Sequence, residues 1–233
     1  MQSYARLPVT FSLITANVLV YLGIVALGVT RQNIPWNVAL VNQPGTILEA
    51  GWLVPQYVAQ GEAWRLLTSM FLQSGFAHIA FNMVALYFLG TLAESAFGHW
   101  RFLVLYLLGG LSGGIALLYF GDFSGPAVGA SGAIFGLLGS VLGYSLRQGT
   151  FSWQNPLIRQ LLILLGINVW LGLSIGNISN TAHMGGLVGG FVFGWLMAPT
   201  VYSRKLSALR PVVLVLVVEL ALLAFWLFYP VSL

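Results

Sequence analysis

Cysteine is absent from the 233 residues, and charged side chains make up only 6% of them. The absence of cysteine excludes disulfide bonds and thiol catalysis. Because soluble domains carry about a quarter charged residues, this chain cannot cover a water-facing surface. Asp122 is the only aspartate, which excludes a pair of facing catalytic aspartates. The sequence also contains no H-E-x-x-H zinc motif, and we expect no metal site.

Long apolar runs are what the sequence has in abundance. Hydrophobic residues form 58% of the chain, and the runs are long enough to cross about 30 Å of hydrocarbon as helices. Their hydrophobicity is continuous rather than alternating, which argues against a β-barrel. The sequence therefore predicts an all-α polytopic membrane bundle of seven transmembrane helices. The predicted segments are 11–29, 76–97, 101–120, 131–146, 157–175, 182–199 and 212–229.

The basic residues indicate an orientation. With a cytoplasmic N-terminus, only Arg31 and Arg65 lie outside, and seven basic residues lie inside. The inside residues are Arg6, Arg101, Arg147, Arg159, Arg204, Lys205 and Arg210. This bias follows the positive-inside rule, so we expect the N-terminus inside and the C-terminus outside. The net charge of +4 is thus a topology signal, and we expect no nucleic-acid partner.

The N-terminal apolar run bears on localisation. It is longer than the core of a signal peptide and no cleavage site clearly follows it, so we expect it to be retained. Nothing before it resembles a transit peptide. We therefore expect a multi-pass protein of a bacterial inner membrane.

Three polar residues share one depth in this topology. Ser131, His183 and Asn82 each lie 16 residues before the inner end of the fourth, sixth and second segments. At 1.5 Å per residue, each lies roughly 24 Å above the inner boundary. Alone, Ser131 is compatible with a helix cap, a packing residue or a nucleophile, and His183 and Asn82 with interhelical hydrogen bonds. Their common level favours a shared functional site.

Glycine stripes indicate that the fourth and sixth segments approach closely. The stripes consist of Gly132, Gly136, Gly139 and Gly143 in one segment and of Gly186, Gly190 and Gly194 in the other. Small residues at such spacings let helix backbones touch. A serine needs this proximity if a histidine on another helix is to accept its proton.

Elimination leaves a serine–histidine dyad as the possible chemistry. A Ser–Lys pair fails because Lys205 lies in an inside loop, across the membrane from Ser131. Acyl transfer also needs donors for a developing oxyanion. The backbone N–H of Ser131 and the Asn82 amide are candidates, and His78 lies one turn from Asn82 on the same helix face.

These residues together resemble the rhomboid intramembrane serine proteases. The matching motifs are "AWRLLT" with Trp64 and Arg65, "HIAFN", "GASGAIFGLLG" and "AHMGGLVGG", in the order of the family and between about residues 60 and 199. The resemblance implies that Ser131 is the nucleophile and His183 the general base. It assigns His78, Asn82 and the Ser131 N–H to the oxyanion hole. It also implies cleavage of peptide bonds in or beside transmembrane segments of other proteins, without a cofactor.

The resemblance also implies a domain plan. Residues 1–199 form a six-helix catalytic core with an outside loop at 30–74, 200–210 form a basic cytoplasmic loop, and 211–233 add a seventh helix. Two positions depart from the family pattern. Phe135 stands where many relatives have a tyrosine that stacks on the histidine, and Gln73 stands where a histidine is frequent.

Three further features complete the expectations. The loop 30–74 is rich in aromatic residues, so we expect it to be structured and to lie partly in the outer leaflet, with Trp64 and Arg65 fixing its position. Residues Gly121 to Gly129 form a link that would reach a buried helix start, which predicts a water-accessible cavity above Ser131. Glu219 lies inside the last segment, where we expect an interhelical hydrogen bond or a protonated group.

The leading hypothesis is an intramembrane serine endopeptidase. The alternative is a non-catalytic rhomboid-like protein that binds or chaperones transmembrane segments. A channel or transporter is disfavoured by the lack of visible inverted repeats and of a ladder of charges. The lipid bilayer is the expected environment, and the sequence does not indicate an oligomeric state.

Overall fold

The computed structural model of the protein describes residues 7–41, 44–121, 127–174, 179–198 and 209–228. Arg6, Asp122, Arg204 and Lys205 lie outside the described residues, as do most of the predicted loop 200–210 and much of the link before Ser131.

Helices account for almost all regular structure in the described residues, and the one pairing of extended backbone there is a single bridge between Leu53 and Ala127. The helices are α1 (Pro8–Arg31), α2 (Trp36–Ala39), α3 (Pro44–Glu49), α4 (Pro55–Ala59), α5 (Arg65–Thr68), α6 (Phe76–Phe97), α7 (His99–Phe120), α8 (Ser131–Arg147), α9 (Pro156–Ser174), α10 (Asn180–Met197) and α11 (Leu209–Phe228). A 3₁₀ turn, Ser69–Phe71, follows α5.

Each of the seven predicted segments corresponds to one long helix, with ends that differ by no more than three residues. The last helix begins at Leu209, so Arg210 belongs to its first turn rather than to the predicted loop. Five of the described helices, α1, α6, α7, α9 and α11, are long and apolar enough to cross a membrane. The shorter α8 and α10, with 17 and 18 residues, are glycine-rich. The count of seven crossings stays a prediction.

Helix α8 lies at the centre of the bundle. Most of its residues are buried, and it packs most extensively on α10 and then on α7. By contrast, α9 and α11 are peripheral and expose large apolar side chains, such as Trp170 and Phe228. Lipid solvates such side chains, so helix contacts in a membrane depend on close packing rather than on apolar burial.

The two glycine stripes meet at the contact between α8 and α10. A Cβ atom built on Gly190 would overlap the carbonyl of Gly136, and one on Gly186 would overlap the carbonyl of Gly132. The relation holds in reverse, since a Cβ on Gly139 would overlap the carbonyl of Leu187. The two backbones are therefore in direct contact, and side chains larger than hydrogen would separate them.

The loop between α1 and α6 is folded around one arginine. The buried Arg65 guanidinium donates to the Glu62 carboxylate at 2.6 Å and to two backbone carbonyl groups, while two aromatic rings cover its faces. The carbonyl groups belong to Leu48 and Trp52, and the rings to Tyr57 and Trp64. A guanidinium has five donors in one plane, which suits it to hold several loop segments at once. This loop is thus structured, as expected from its aromatic content.

A buried carboxylate joins α6 to the start of α1. Glu94 accepts hydrogen bonds from the backbone N–H groups of Val9 and Thr10, from the Thr10 hydroxyl and from His99 Nδ1. The first N–H groups of a helix lack partners within it, and a carboxylate there also complements the helix dipole. This contact fixes α1 against the bundle, and no pattern in the sequence indicates it.

Helix α11 docks onto α7 through polar contacts. The Ser112 hydroxyl donates to Glu219 at 2.5 Å, and Trp226 Nε1 donates to the Leu118 carbonyl at 2.8 Å. The interhelical hydrogen bond expected for Glu219 is therefore present. In the apolar environment of a membrane span, such paired groups orient a helix that apolar burial alone would leave loosely placed.

The contact between α8 and α10 predicts the effect of adding one methyl group. Gly190→Ala would force the two backbones apart, and we expect it to lower the free energy of unfolding by about 1–3 kcal/mol. Gly166→Ala on α9 is the matched control, because a Cβ there meets nothing within 4 Å. Unfolding by SDS titration in mixed micelles measures both. Equal stability of the two variants would contradict the proposed packing constraint.

Candidate active site

Ser131 and His183 lie within hydrogen-bond distance of each other. Ser131 is the first residue of α8, and its Oγ is 2.8 Å from Nε2 of His183 in the first turns of α10. The N-cap of α8 is Ala130, with no side-chain cap. The interpretation of Ser131 as a helix cap is therefore wrong, and its hydroxyl is directed to the imidazole instead.

The backbone before Ser131 is tied to the loop that Arg65 organises. Leu53 and Ala127 exchange backbone hydrogen bonds of 3.1 and 2.9 Å, and the N–H of Gly129 donates to the Ser69 carbonyl at 2.9 Å. These three bonds replace a side-chain cap in fixing where α8 begins. The position of the serine thus depends on the loop as well as on the helix packing.

The imidazole of His183 is held flat against an aromatic ring. Phe135 lies one turn after Ser131, and its ring stacks on His183 with centroids 4.2 Å apart and planes 10° from parallel. For the Ser131 hydroxyl to donate to Nε2, the imidazole must carry its proton on Nδ1. In that tautomer, Nε2 is positioned as the proton acceptor for the serine.

His78 on α6 offers a donor to the same region. The backbone N–H of Ser74 donates to His78 Nδ1 at 3.1 Å, and the Ser74 hydroxyl lies 2.9 Å from the same atom. Because Nδ1 accepts a hydrogen bond from a backbone N–H, the neutral ring carries its proton on Nε2. Ser74 therefore fixes both the tautomer and the orientation of His78, a role that the sequence did not indicate.

The His78 and Asn82 donors converge beside Gly129, two residues before the serine. A Cβ built on Gly129 would lie 2.9 Å from His78 Nε2 and 3.4 Å from Asn82 Nδ2. Gly129 also has φ +122°, a conformation that residues with side chains rarely adopt. Glycine is required here both by the backbone and by the donors that occupy its side-chain space.

Three glutamates have described hydrogen-bond partners, and none of these partners is His183. Glu62 pairs with Arg65, Glu94 with the start of α1, and Glu219 with Ser112. Within the described ranges, no group of three or more His, Asp and Glu side chains could hold a metal ion. The site itself brings a hydroxyl and an imidazole within hydrogen-bond distance, next to amide and imidazole donors.

A cavity of about 150 Å³ lies beside the imidazole, between α9 and α10. Its walls include Phe135 and His183 on one side and Asn168 and Leu173 of α9 on the other. The cavity expected above Ser131 involves the link before that residue, of which 122–126 lie outside the described residues, and it stays a prediction.

The structure brings together all four polar residues that the sequence predicted for the site, and the glycine stripes lie behind them. Trp64 and Arg65 lie in the loop that supports the start of α8. The sequence pattern did not single out Ser74 or Gly129 for this site.

Comparison with known proteins gives one family. The model of the Rhomboid domain matches residues 60–200. The chain is similar to "Rhomboid protease GluP" of Bacillus subtilis (strain 168), with 41% identity over 63% of this chain and 28% of the relative. It is also similar to "RHOMBOID-like protein 5" of Arabidopsis thaliana, with 35% identity over 71% of this chain and 54% of the relative. "Putative rhomboid protease YdcA" of Bacillus subtilis (strain 168) is 37% identical over 60% of this chain and 69% of the relative. The chain thus spans about a quarter to a half of the first two relatives.

The crowding at Gly129 predicts a loss of serine reactivity on adding one methyl group. Gly129→Ala would displace His78 and Asn82. If these donors bind the oxygen of a fluorophosphonate, we expect at least about tenfold slower labelling of Ser131. Gly61→Ala is the matched control, since Gly61 also has a positive φ, +99°, but open space around it. Equal labelling rates in the two variants would contradict convergence of the donors on the serine.

Proposed function

This chain is a multi-pass membrane protein of the rhomboid family, and we propose that it is an intramembrane serine endopeptidase. Its substrates are other membrane proteins, cut in or next to their transmembrane segments. The single observation that carries the proposal is the 2.8 Å hydrogen bond between Ser131 and His183, with the His78 and Asn82 donors beside it.

Acylation begins with the serine. Ser131 Oγ attacks a substrate carbonyl carbon while His183 Nε2 takes the hydroxyl proton. The carbonyl oxygen becomes an oxyanion, which accepts hydrogen bonds from the Ser131 N–H, Asn82 Nδ2 and His78 Nε2. The free N–H groups at the start of α8 add the positive end of its dipole. The intermediate collapses when His183 gives the proton to the leaving amine, and an ester on Ser131 remains.

Hydrolysis of the ester repeats these steps with water. His183 accepts a proton from a water molecule as the water oxygen attacks the acyl carbon, and the same donors hold the second oxyanion. The proton then returns to Ser131 Oγ, which restores the enzyme and releases the new carboxyl terminus. Stacking on Phe135 holds the plane of the imidazole in both halves of the reaction.

The proposal includes a topology. The protein lies in the inner membrane of a cell, with its N-terminus in the cytoplasm. All seven long helices cross this membrane, and the site opens to its outer side. Residues 1–199 form the catalytic core, the residues from 200 up to the start of α11 form a cytoplasmic loop, and α11, which begins at Leu209, is an added helix. The distribution of basic residues supports this arrangement.

Loss of either dyad residue should abolish cleavage. We expect Ser131→Ala and His183→Ala each to lower kcat for a single-span model substrate at least about 1,000-fold, since the two groups act as one unit. Ser145→Ala is the matched control, a buried serine on the same helix whose hydroxyl bonds to the Val141 carbonyl. Purified protein in liposomes, with unfolding checked in parallel, provides the measurement.

The outcomes separate the proposal from its alternative. Cleavage that survives Ser131→Ala would assign the activity to another nucleophile. A folded wild type that cuts none of several helix-destabilised substrates would favour the alternative, a non-catalytic rhomboid-like protein that binds or chaperones transmembrane segments.

Substrate choice should follow the ease of local helix opening. A helical carbonyl is hydrogen-bonded within its own helix, so attack requires unwinding. Replacing one alanine near the outer end of the substrate helix by glycine removes about 1 kcal/mol of helix preference, and we expect up to about fivefold faster cleavage. A series with zero, one and two glycines, compared with a poly-leucine helix, measures the trend. Cleavage of all members at one rate would contradict it.

A further inference from the structure

Three buried carboxamides form a hydrogen-bonded chain from α1 to Asn82. Asn82 Nδ2 donates to Gln73 Oε1 at 2.8 Å, and Gln73 Nε2 donates to Asn17 Oδ1 at 2.9 Å. Asn17 Nδ2 in turn donates to the Leu13 carbonyl at 2.9 Å. We call these three residues, Asn17, Gln73 and Asn82, the amide chain. They are 0%, 2% and 7% exposed, respectively. These hydrogen bonds are therefore shielded from bulk water.

The amide chain has a direction. The Leu13 carbonyl can only accept, so Asn17 must turn its NH₂ group to it and its oxygen to Gln73. Gln73 must then present its NH₂ group to Asn17 and its oxygen to Asn82. Each amide orientation is therefore specified by the one before it, starting from a backbone carbonyl of α1.

The direction of the amide chain determines the orientation of the Asn82 carboxamide. A carboxamide can rotate by a half turn, which exchanges its donor and its acceptor with little change of shape. With the oxygen of Asn82 in place of its nitrogen, an acceptor would face the Gln73 oxygen, and a buried repulsion of that kind is costly. The observed orientation places Asn82 Nδ2 next to Gly129, with one N–H on Gln73 and one left for the site.

We propose that Gln73 and Asn17 are positioning residues, which hold the Asn82 amide with its donor toward the place where the oxyanion forms. This inference rests on the proposed function, because the oxyanion exists only in that reaction. It also gives α1 a part in the site, although no residue of α1 touches the dyad among the hydrogen bonds described.

The test compares two backgrounds. Gln73→Met keeps the length of the side chain and removes both hydrogen bonds, so we expect about a tenfold lower kcat with KM unchanged. In an Asn82→Ala background, which itself should lose about 10²–10³-fold, the same substitution should have no further effect on kcat. Gln60→Met, at an exposed glutamine of the same loop, is the matched control and should leave the activity unchanged.

Two further variants keep the inference testable if Gln73→Met does not fold. Gln73→His supplies one donor and one acceptor and should retain most of the activity. Asn17→Leu suits an apolar helix and should lower kcat less than Gln73→Met, again only when Asn82 is present. Equal fold losses with and without Asn82 would assign these residues a general structural role and overturn the inference.

The controls also distinguish the two proposals. Wild-type protein without protease activity would overturn the proposed function and the positioning role together. An active wild type whose kcat is unaffected by Gln73→Met and by Asn17→Leu would overturn the positioning role alone.

Discussion

The backbones of α8 and α10 are in direct contact, and the geometry of the site follows from that contact. The carbonyl groups of Gly132 and Gly136 occupy the space that side chains at Gly186 and Gly190 would fill. Only this separation allows Ser131, at the first position of one helix, to reach the imidazole of His183 on the other. The glycines carry no chemistry, yet they set the distance that proton transfer requires, because donor and acceptor atoms must lie within about 3.2 Å of each other.

Three separate clusters of hydrogen bonds satisfy buried polar groups within the bundle. Glu94 accepts hydrogen bonds from the start of α1, and Arg65 donates to backbone carbonyl groups of the loop. Gln73 donates to Asn17 and so connects α1 to the site. Each cluster connects elements far apart in the chain, and each would be costly in lipid if one partner were lost. Such clusters specify a unique arrangement where apolar contact alone discriminates poorly, since lipid solvates an exposed apolar side chain as well as a neighbouring helix does.

The sequence predicted the long helices well because continuous apolar runs mark them directly, and the ends of α6 agree to the residue. It also predicted the partners Ser131 and His183, because equal distances from helix ends translate into equal depths. It could not predict the amide chain or the Glu94 cluster. Those contacts depend on how the loop 30–74 folds and on where α1 meets α6, and periodicity carries no information about either. The sequence shows Asn17 and Gln73 as polar residues among apolar ones, but it does not indicate which groups they bind.

Among the described residues, no carboxylate is bonded to His183, so the imidazole must be held in another way than in a triad. In a triad, an aspartate fixes the tautomer of the imidazole and stabilises its positive charge. Here the flat stack on Phe135 can fix the ring plane but can supply only a weak electrostatic benefit, since phenyl rings attract cations modestly. In the proposed mechanism, the stabilisation of the transition state then comes mainly from the oxyanion side, so His78 and Asn82 must be placed accurately. Each of them is held by a partner of its own, His78 by Ser74 and Asn82 by Gln73.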